Sequence, residues 1–403
     1  MSLNVIKPDY YDDFHCIGGS CSFTCCQEWK IAVDPETKKR WRSINAPEGL
    51  KEAGRLPEWL NEHSCLSKFI VKKDGTDVIG LLRDMTCPFL DSDHLCRLVI
   101  DHGEEILSKT CHEFPRENHE YTDRTEKSLV ACCPEVVDKW NERNILTFEG
   151  LNYRDTEGLK HTKDTLMAAR NLIMYLLSDE QCDNRINLLK SFYILLDIYS
   201  KESLKDMSDY IDPKVLRELE STIASLERDV SESMVERNEL FLDMTENYAA
   251  ENRYTAFISP LRNLAKELDV NETDMSMYAD KENASGKKDD KSDFLSSISK
   301  YESLFRNYLV SEAFSGLLIP GMDLRDMVMQ FEWMIMEYAI IQQALYLKWK
   351  ENPEHDLSYE TVREMIVLIS RLTGYDADDI EDYLESSFES PIWDFGYADF
   401  LLG

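Results

Sequence analysis

The sequence predicts a mainly α-helical protein that begins with a small, irregular, cysteine-rich region containing a short β-hairpin. Two observations support this fold class. Ten of the eleven cysteines precede residue 134, whereas amphipathic helical periodicity dominates only after about residue 155. We therefore expect a cysteine-rich domain over residues 1–150 and an acidic, all-helical domain over residues 151–403.

The N-terminal region carries one clear hairpin signal. In KFIVKKDGTDVIGLL, residues 68–82, two extended arms flank Asp74-Gly75, a dipeptide suited to a tight turn. The run WKIAV, residues 29–33, is also strand-like because it is apolar and partly β-branched. The rest mixes aromatic, Gly, Pro and Cys residues without long periodicity, which is typical of small folds that a bound metal helps to hold.

The remaining chain shows the patterns of amphipathic helices. In DPKVLRELESTIASLER, Asp212 suits a helix cap and Pro213 the first helical position. The most apolar segment, residues 327–349, is predicted to be a core helix, with docking to a membrane surface or a partner as the alternative; Glu332 and Glu337 argue against a membrane span. Residues 271–293 are highly charged and predict a flexible loop.

The charge is strongly acidic and unevenly distributed. The formal net charge is -32, with 19 Lys and Arg against 27 Asp and Glu in residues 1–150, and 26 against 50 in the rest. Such a chain repels phosphate, so nucleic acid is not an expected partner. Acidity serves solubility, and an acidic surface also attracts lysine-rich protein segments.

No targeting or membrane-spanning pattern is predicted. The start, MSLNVIKPDYYDDF, has no basic stretch followed by an apolar one, and the chain has no run of 18 or more uncharged apolar residues. We therefore expect a cytoplasmic protein without a transmembrane span. In that compartment clustered thiols stay reduced and more often bind metal or do redox chemistry than form disulfides.

The cysteines fall into four blocks that suggest a thiolate metal site. These are HCIGGSCSFTCC at residues 15–26, CPFLDSDHLC at 87–96, CHEFPR at 111–116 and CCPE at 132–135. Thiolates select zinc or the iron of iron–sulfur clusters, and the spacings match no simple zinc ribbon. Because neighbouring side chains of an extended segment point opposite ways, Cys25 and Cys26 are expected to serve different roles.

In this order the blocks resemble the flagellin lysine-N-methylase family, related to a wider group of iron- or zinc-chelating cysteine-rich domains. The similarity covers residues 9–136, about a third of the chain. It implies a cytoplasmic, S-adenosylmethionine-dependent enzyme that methylates flagellin lysines and carries a 4Fe-4S cluster, with zinc as the alternative metal. The metal ligands that it implies are Cys16, Cys21, Cys25, Cys26, Cys87, Cys96, Cys111 and Cys133.

Several points stay open at this stage. Eight thiols suffice for two four-thiolate sites, or for one cluster and additional structural thiols. Cys65, Cys132 and Cys182 lie outside the resemblance and are interpreted as inert. His15, His94 and His112 flank motif cysteines and are interpreted as outer-shell residues.

The catalytic residues cannot be named from the sequence. The chain lacks GxGxxG and the CxxxCxxC of ordinary radical S-adenosylmethionine enzymes, and 77 acidic residues and 19 tyrosines single out no base. Polar and radical methyl transfer both stay open. The alternative function is a non-catalytic zinc- or iron–sulfur-binding protein whose acidic helical domain binds a protein partner.

Overall fold

Helices dominate the described part of the chain, as the sequence predicts. A computed structural model describes residues 4–161, 164–201, 208–226, 230–278 and 290–403. Its α-helices are α1 (Pro35–Arg40), α2 (Arg97–His102), α3 (Lys109–Glu113), α4 (Pro134–Asn141), α5 (Thr156–His161), α6 (Thr165–Leu177), α7 (Asn184–Lys201), α8 (Pro213–Ala224), α9 (Val230–Ala250), α10 (Thr255–Tyr278), α11 (Asp290–Ser299), α12 (Glu302–Gly316), α13 (Leu324–Glu351), α14 (Tyr359–Leu372), α15 (Ala377–Ser387) and α16 (Phe395–Leu401). Its strands are β1 (Asn4–Pro8), β2 (Ile70–Lys73), β3 (Thr76–Ile79), β4 (Arg116–Glu120), β5 (Arg124–Leu129) and β6 (Phe148–Glu149).

Internal contacts divide the chain into two compact units. The helical unit comprises Met1–Asp13, Asn118–Cys132 and Val136–Gly403, and the cysteine-rich unit comprises Phe14–Glu117 and Cys133–Glu135. The two units are interleaved along the sequence. A division by composition predicts one boundary at residue 150, and that boundary stays a prediction.

Helix α13 forms the centre of the helical unit. Asp323 caps it in a capping box with Asp326, and almost every residue from Met327 to Trp349 is buried. It packs against α7, α9, α10, α12, α14, α15 and α16. The predicted core role is confirmed, because a helix that is apolar all round must be enclosed by neighbours.

The predicted start of helix α8 at Asp212 and Pro213 is confirmed. Asp212 accepts hydrogen bonds from the backbone N–H groups of Lys214 and Val215, and Pro213 opens α8. No helix in the described ranges is long and apolar enough to cross a bilayer.

A four-stranded sheet in the order β4-β5-β1-β6 accompanies the helices, and the sequence did not predict it. Strand β1 runs parallel to β5, with Asn4 opposite Arg124, and antiparallel to β6. The strands are two to six residues long and largely polar. Such short polar runs lack the alternation that identifies a strand in sequence.

The predicted hairpin is present in the cysteine-rich unit. Strand β2 pairs antiparallel with β3, with Ile70 opposite Ile79 and Lys73 opposite Thr76. Asp74 and Gly75 both have positive φ, 49° and 78°, as a type I′ turn requires. The strand-like run WKIAV is not a strand; in the described chain it forms an isolated bridge from Ala32 to Val78.

The helices reach further into the predicted loop at 271–293 than expected. Helix α10 continues to Tyr278 and α11 begins at Asp290, while residues 279–289 lie outside the described part. Glu272, Met275 and Met277 are good or fair helix formers, so a helix already nucleated upstream can propagate through this charged segment.

We expect Glu126→Gln to destabilise the helical unit by about 3–5 kcal/mol, because it leaves buried guanidinium groups uncompensated. Glu126 accepts from Arg124 Nε at 2.7 Å and from Arg170 Nη2 at 3.1 Å, and all three side chains are buried. Urea unfolding followed by circular dichroism measures the change. The exposed pair Glu157–Lys160 supplies the control: Glu157→Gln should change little, and equal effects of the two substitutions would contradict this role for Glu126.

A second expectation concerns pH. Burial raises the pKa of Glu332 from its ordinary 4.5 to about 8, against the hydrogen bond that its Oε1 accepts from Trp393 N–H at 2.8 Å. The folded state therefore binds the proton more tightly than the unfolded chain. This contribution to stability is lost as the pH rises from about 4.5 to about 8. The substitution Glu332→Gln removes this pH-dependent loss of stability, because glutamine does not titrate. The difference in unfolding free energy between variant and wild type should grow in favour of the variant by up to about 1.4 kcal/mol per pH unit; parallel stability curves would refute this.

Candidate metal centre

All eight predicted metal ligands lie in the cysteine-rich unit. Cys133 joins it through the short segment Cys133–Glu135, although Cys132 belongs to the helical unit. Of the cysteines outside the resemblance, Cys65 lies in the cysteine-rich unit and Cys182 in the helical unit. Cys133 is therefore in the same unit as the other motif cysteines, although it lies far from them in the sequence.

Five of the eight thiols converge. Cys26 interacts electrostatically with Cys25, Cys87 and Cys96, and Cys111 does so with Cys25 and Cys96. Cys87 likewise interacts with Cys96 and Cys111. These five side chains, from three separate sequence blocks, form what we call the thiol cluster.

Backbone pairing aligns the first two blocks. Cys87 N–H donates to the carbonyl oxygen of Cys26 at 2.7 Å, and Glu28 N–H donates to that of Met85 at 2.8 Å. Gln27 and Thr86 form an antiparallel bridge between these bonds. The adjacent residues Cys25 and Cys26 are thereby held alongside Cys87.

The second block folds back on itself and returns Cys96 to Cys87. Leu90 and Cys96 form an antiparallel bridge, and Asp91 Oδ1 accepts from the N–H groups of Asp93 and Leu95 at 2.9 and 2.8 Å. This turn also contacts the first block. A Cβ on Gly19 would meet the carbonyl oxygen of Asp93 at 2.5 Å, so the close approach of the two loops requires glycine there.

The third block places Cys111 on the short helix α3. Ser108 caps this helix, and its Oγ accepts from Cys111 N–H at 3.3 Å. Asp34 ties the helix to α1, because its carboxylate accepts from Lys109 N–H at 3.0 Å and from Thr37 N–H at 2.9 Å. Asp34 therefore fixes the start of two helices and, through α3, the position of Cys111.

The other predicted ligands stand differently. Cys16 is exposed, and its Sγ accepts from Gly18 N–H at 3.4 Å. Cys21 is half-buried and Cys133 is buried. For these three residues a role as ligands stays a prediction.

The thiol cluster lies at the edge of an apolar core. Cys87 belongs to this core, and Cys26, Cys96 and Cys111 pack against it, alongside aromatic residues such as Trp41 and Phe89. Trp29 also packs against this core and closes on the cluster, since its Nε1 donates to the carbonyl oxygen of Cys25 at 2.7 Å. The cluster is thus shielded on one side by hydrocarbon.

Burial and mutual repulsion keep these thiols protonated when no cation is bound. Burial raises the pKa of Cys87 and Cys96 and raises that of Cys111 to about 12, and neighbouring thiolates raise all three further. The pKa of Cys26 is raised first by its hydrogen bond with Cys25 and then by burial. A metal cation reverses this balance, because metal binding displaces the protons and turns the repulsion into shared attraction.

Backbone donors already favour the thiolate form. The N–H groups of Leu98 and Val99, in the first turn of α2, lower the pKa of Cys96, and that of Phe89 lowers the pKa of Cys87. Hydrogen bonds to cysteine sulfur are one of the means by which proteins tune iron–sulfur centres. The donor set of the thiol cluster therefore fits a thiolate-ligated metal group.

One other group of donor atoms occurs among the described residues. Atoms of Asp179, Cys182 and Glu220 lie within 4.8 Å of one another. The ammonium of Lys190, itself buried, lies 3.1 Å from Asp179 Oδ2 and 2.7 Å from Glu220 Oε1. Lys190 thus already supplies the positive charge at this position.

Sequence reasoning missed the polar residues that support the thiol cluster. Arg55 donates to the carbonyl oxygen of Cys87 and to Thr86 Oγ1, and Arg55 is separated from them by about thirty residues, so no local pattern announces the contact. Ser108 could have been found, because a Ser three residues before Cys111 at the start of a short helix is a capping signal.

Known proteins resemble parts of this chain. A family model described as the FliB lysine N-methylase C-terminal domain matches residues 170–398, which include none of the motif cysteines. Flagellar biosynthetic protein FliU of Salmonella muenchen is 31% identical over 140 residues, which cover 34% of this chain and 76% of that protein. No solved structure matches significantly.

The match to two further relatives covers only a part of their length. The lysine-N-methylases of Salmonella choleraesuis and Salmonella typhimurium are each 31% identical over 140 residues, which cover 34% of this chain. The match spans only 32% of the length of each of those two proteins.

We expect Cys96→Ser to abolish metal binding, because Cys96 interacts with all four other members of the thiol cluster. The measurement is iron, zinc and sulfide content after anaerobic purification. Cys65→Ser is the matched control: Cys65 lies in the same unit, where its Sγ contacts Ser67 Oγ at 3.2 Å, and this variant should retain the metal. Equal metal content in the two variants would remove Cys96 from the ligand set.

Proposed function

The chain belongs to the FliB lysine N-methylase family, and from that premise we propose that it transfers methyl groups from S-adenosylmethionine to lysine side chains of flagellin. The observation that carries the proposal is the family match over residues 170–398, more than half of the chain. Two relatives are named lysine-N-methylases and a third is named a flagellar biosynthetic protein, which supports the reaction and the kind of substrate.

The reaction requires the protein to deprotonate the lysine. A lysine ammonium has a pKa of about 10.4 and must lose a proton before its nitrogen can attack. In a polar displacement the N–C bond forms as the S–C bond of the sulfonium breaks, S-adenosylhomocysteine leaves, and the proton passes to a base. A buried carboxylate or phenol close to the amine meets this need.

We further propose that the thiol cluster holds a 4Fe-4S cluster. Cys25, Cys26, Cys87, Cys96 and Cys111 supply more thiols than the four that such a cluster needs, and Cys16, Cys21 and Cys133 remain further candidates. Zinc bound by the same thiols is the alternative. When bound, the cluster supplies a redox couple and links three separate chain segments.

The chain's own residues prepare that position. The carbonyl and N–H pairing of Cys26 with Cys87 sets two blocks side by side, Asp34 and Ser108 orient Cys111, and the apolar core limits water on one side. The short elements of this unit have few backbone ladders of their own, so ligation stabilises them as well as the thiols.

Charge supports a lysine-bearing protein as substrate. Residues 151–403 hold 26 Lys and Arg against 50 Asp and Glu, and such an excess attracts a positively charged segment and speeds its encounter. We place the reaction in the cytoplasm, where thiols stay reduced.

The direct test is to co-express the protein with the flagellin encoded in the same genome and to measure the mass of the flagellin. We expect added methyl groups on lysine residues, and purified, metal-loaded protein should produce S-adenosylhomocysteine in proportion. The reaction should stop when S-adenosylmethionine is omitted.

The same experiment separates the alternative. A metal-loaded protein that binds flagellin but adds no methyl group would overturn the methylase proposal in favour of a binding protein. Stoichiometric zinc without iron or sulfide would overturn the iron–sulfur proposal and leave the methylase proposal standing. The Cys65→Ser variant should methylate as wild type does.

A further inference from the structure

The side chain of Arg55 places a positive charge at the edge of the thiol cluster. Its guanidinium donates to the carbonyl oxygen of Cys87 and to Thr86 Oγ1, the latter at 2.8 Å. The carbonyl oxygen and the sulfur of a cysteine are separated by only a few bonds, so the charge also lies close to the sulfur of Cys87. Cys87 interacts electrostatically with Arg55 as well as with Cys96 and Cys111. A cation therefore stands next to the thiols that we propose as ligands.

A short loop of the cysteine-rich unit fixes the position of Arg55. The N–H group of Arg55 donates to the carbonyl oxygen of Leu50 at 2.7 Å, and Leu50 is buried in the apolar core of this unit. Gly49 and Gly54 have positive φ, 77° and 68°, so the backbone can turn at both ends of the loop. Leu56 packs against the same core. The guanidinium is thus held in place by contacts of its own chain segment.

The acid beside Arg55 compensates this charge only in part. Asp84 Oδ2 lies 3.3 Å from Arg55 Nη1, and the side chain of Asp84 is 59% exposed whereas that of Arg55 is 17% exposed. Because water screens an exposed carboxylate, such a pair contributes little. The guanidinium is the more buried of the two charges, and it is the one that contacts Cys87.

A cation at this position affects a redox-active group in one direction. Reduction by one electron adds one negative charge to an iron–sulfur group, and a nearby cation stabilises the reduced form more than the oxidised form. Net charge, hydrogen bonds to sulfur and solvent exposure are the means by which proteins set the potential of such groups. The apolar core on one side of the thiol cluster lowers the local dielectric and strengthens the effect.

We propose that Arg55 raises the reduction potential of the iron–sulfur group held by the thiol cluster, through its charge, in addition to orienting Cys87. This inference rests on the proposed 4Fe-4S cluster and not on methyl transfer. In the redox step one electron passes from an external one-electron donor of low potential, which is oxidised, to the iron–sulfur group, which is reduced. No bond to Arg55 forms or breaks, and Arg55 keeps its protons.

The test is reduction of the iron- and sulfide-loaded full chain by dithionite, followed by electron paramagnetic resonance at a series of fixed potentials. Arg55→Gln removes the charge and keeps an amide donor. We expect the ratio of reduced to oxidised group at a given potential to fall about tenfold, a shift of about 59 mV to lower potential for one electron. Arg55→Lys keeps the charge and should stay closer to wild type.

The matched control is Arg83→Gln. Arg83 belongs to the same unit, pairs with Glu58 at 2.8 Å and has a side chain that is 87% exposed. This substitution removes the same charge from a position that water screens. The potential of this variant should therefore equal that of wild type.

A variant of opposite sign keeps the inference testable if Arg55 is needed for folding. Asp84→Asn removes the negative charge beside Arg55, keeps an oxygen that can accept from Thr86 N–H, and should raise the potential. An unchanged potential in Arg55→Gln with full iron and sulfide content, or an equal fall in Arg55→Gln and Arg55→Lys, would contradict a role for the charge. Loss of iron from both Arg55 variants together with an unchanged potential in Asp84→Asn would contradict it as well. Stoichiometric zinc in the wild type would overturn this inference along with the iron–sulfur proposal, whereas methylation of flagellin is measured separately.

Discussion

The all-round burial of α13 is the constraint on which the helical unit depends. A helix of 28 residues whose every face is apolar has to be enclosed by other helices. Its polar exceptions are therefore held by specific partners. Glu337 accepts from Tyr308 at 2.6 Å and from Ser370 at 2.8 Å, which links α13 to α12 and α14.

The cysteine-rich unit solves the opposite problem. Its longest helix has six residues, too short to be stable by itself, and its order comes from loops that pair across the chain. Gly19 against Asp93, Asp34 against Lys109, and Cys87 against Cys26 are each contacts between distant segments. These contacts fix the loops that carry the cysteines, so they also determine where the sulfur atoms of the thiol cluster lie. A metal group placed there would bind the loops at the point where they meet.

The structural features that could be predicted from the sequence are those encoded by a few neighbouring residues. The turn at Asp74-Gly75, the cap at Asp212 and the apolar run of α13 each carry their signal within a few neighbouring residues, and the structure confirms all three. The sheet depends instead on pairing between Asn4 and Arg124, which no local pattern encodes. The ligand set came from blocks whose order resembles a family. The choice of the five converging thiols required tertiary contacts.

Three buried cations of the helical unit are each paired with an acid. Arg170 is enclosed but meets Glu126, and Arg262, also buried, meets Glu246. Lys190 is balanced by Asp179 and Glu220. In each case the acid comes from another segment and removes the cost of desolvation that an isolated ion would carry. The fold thus supplies acids where a cation is structural.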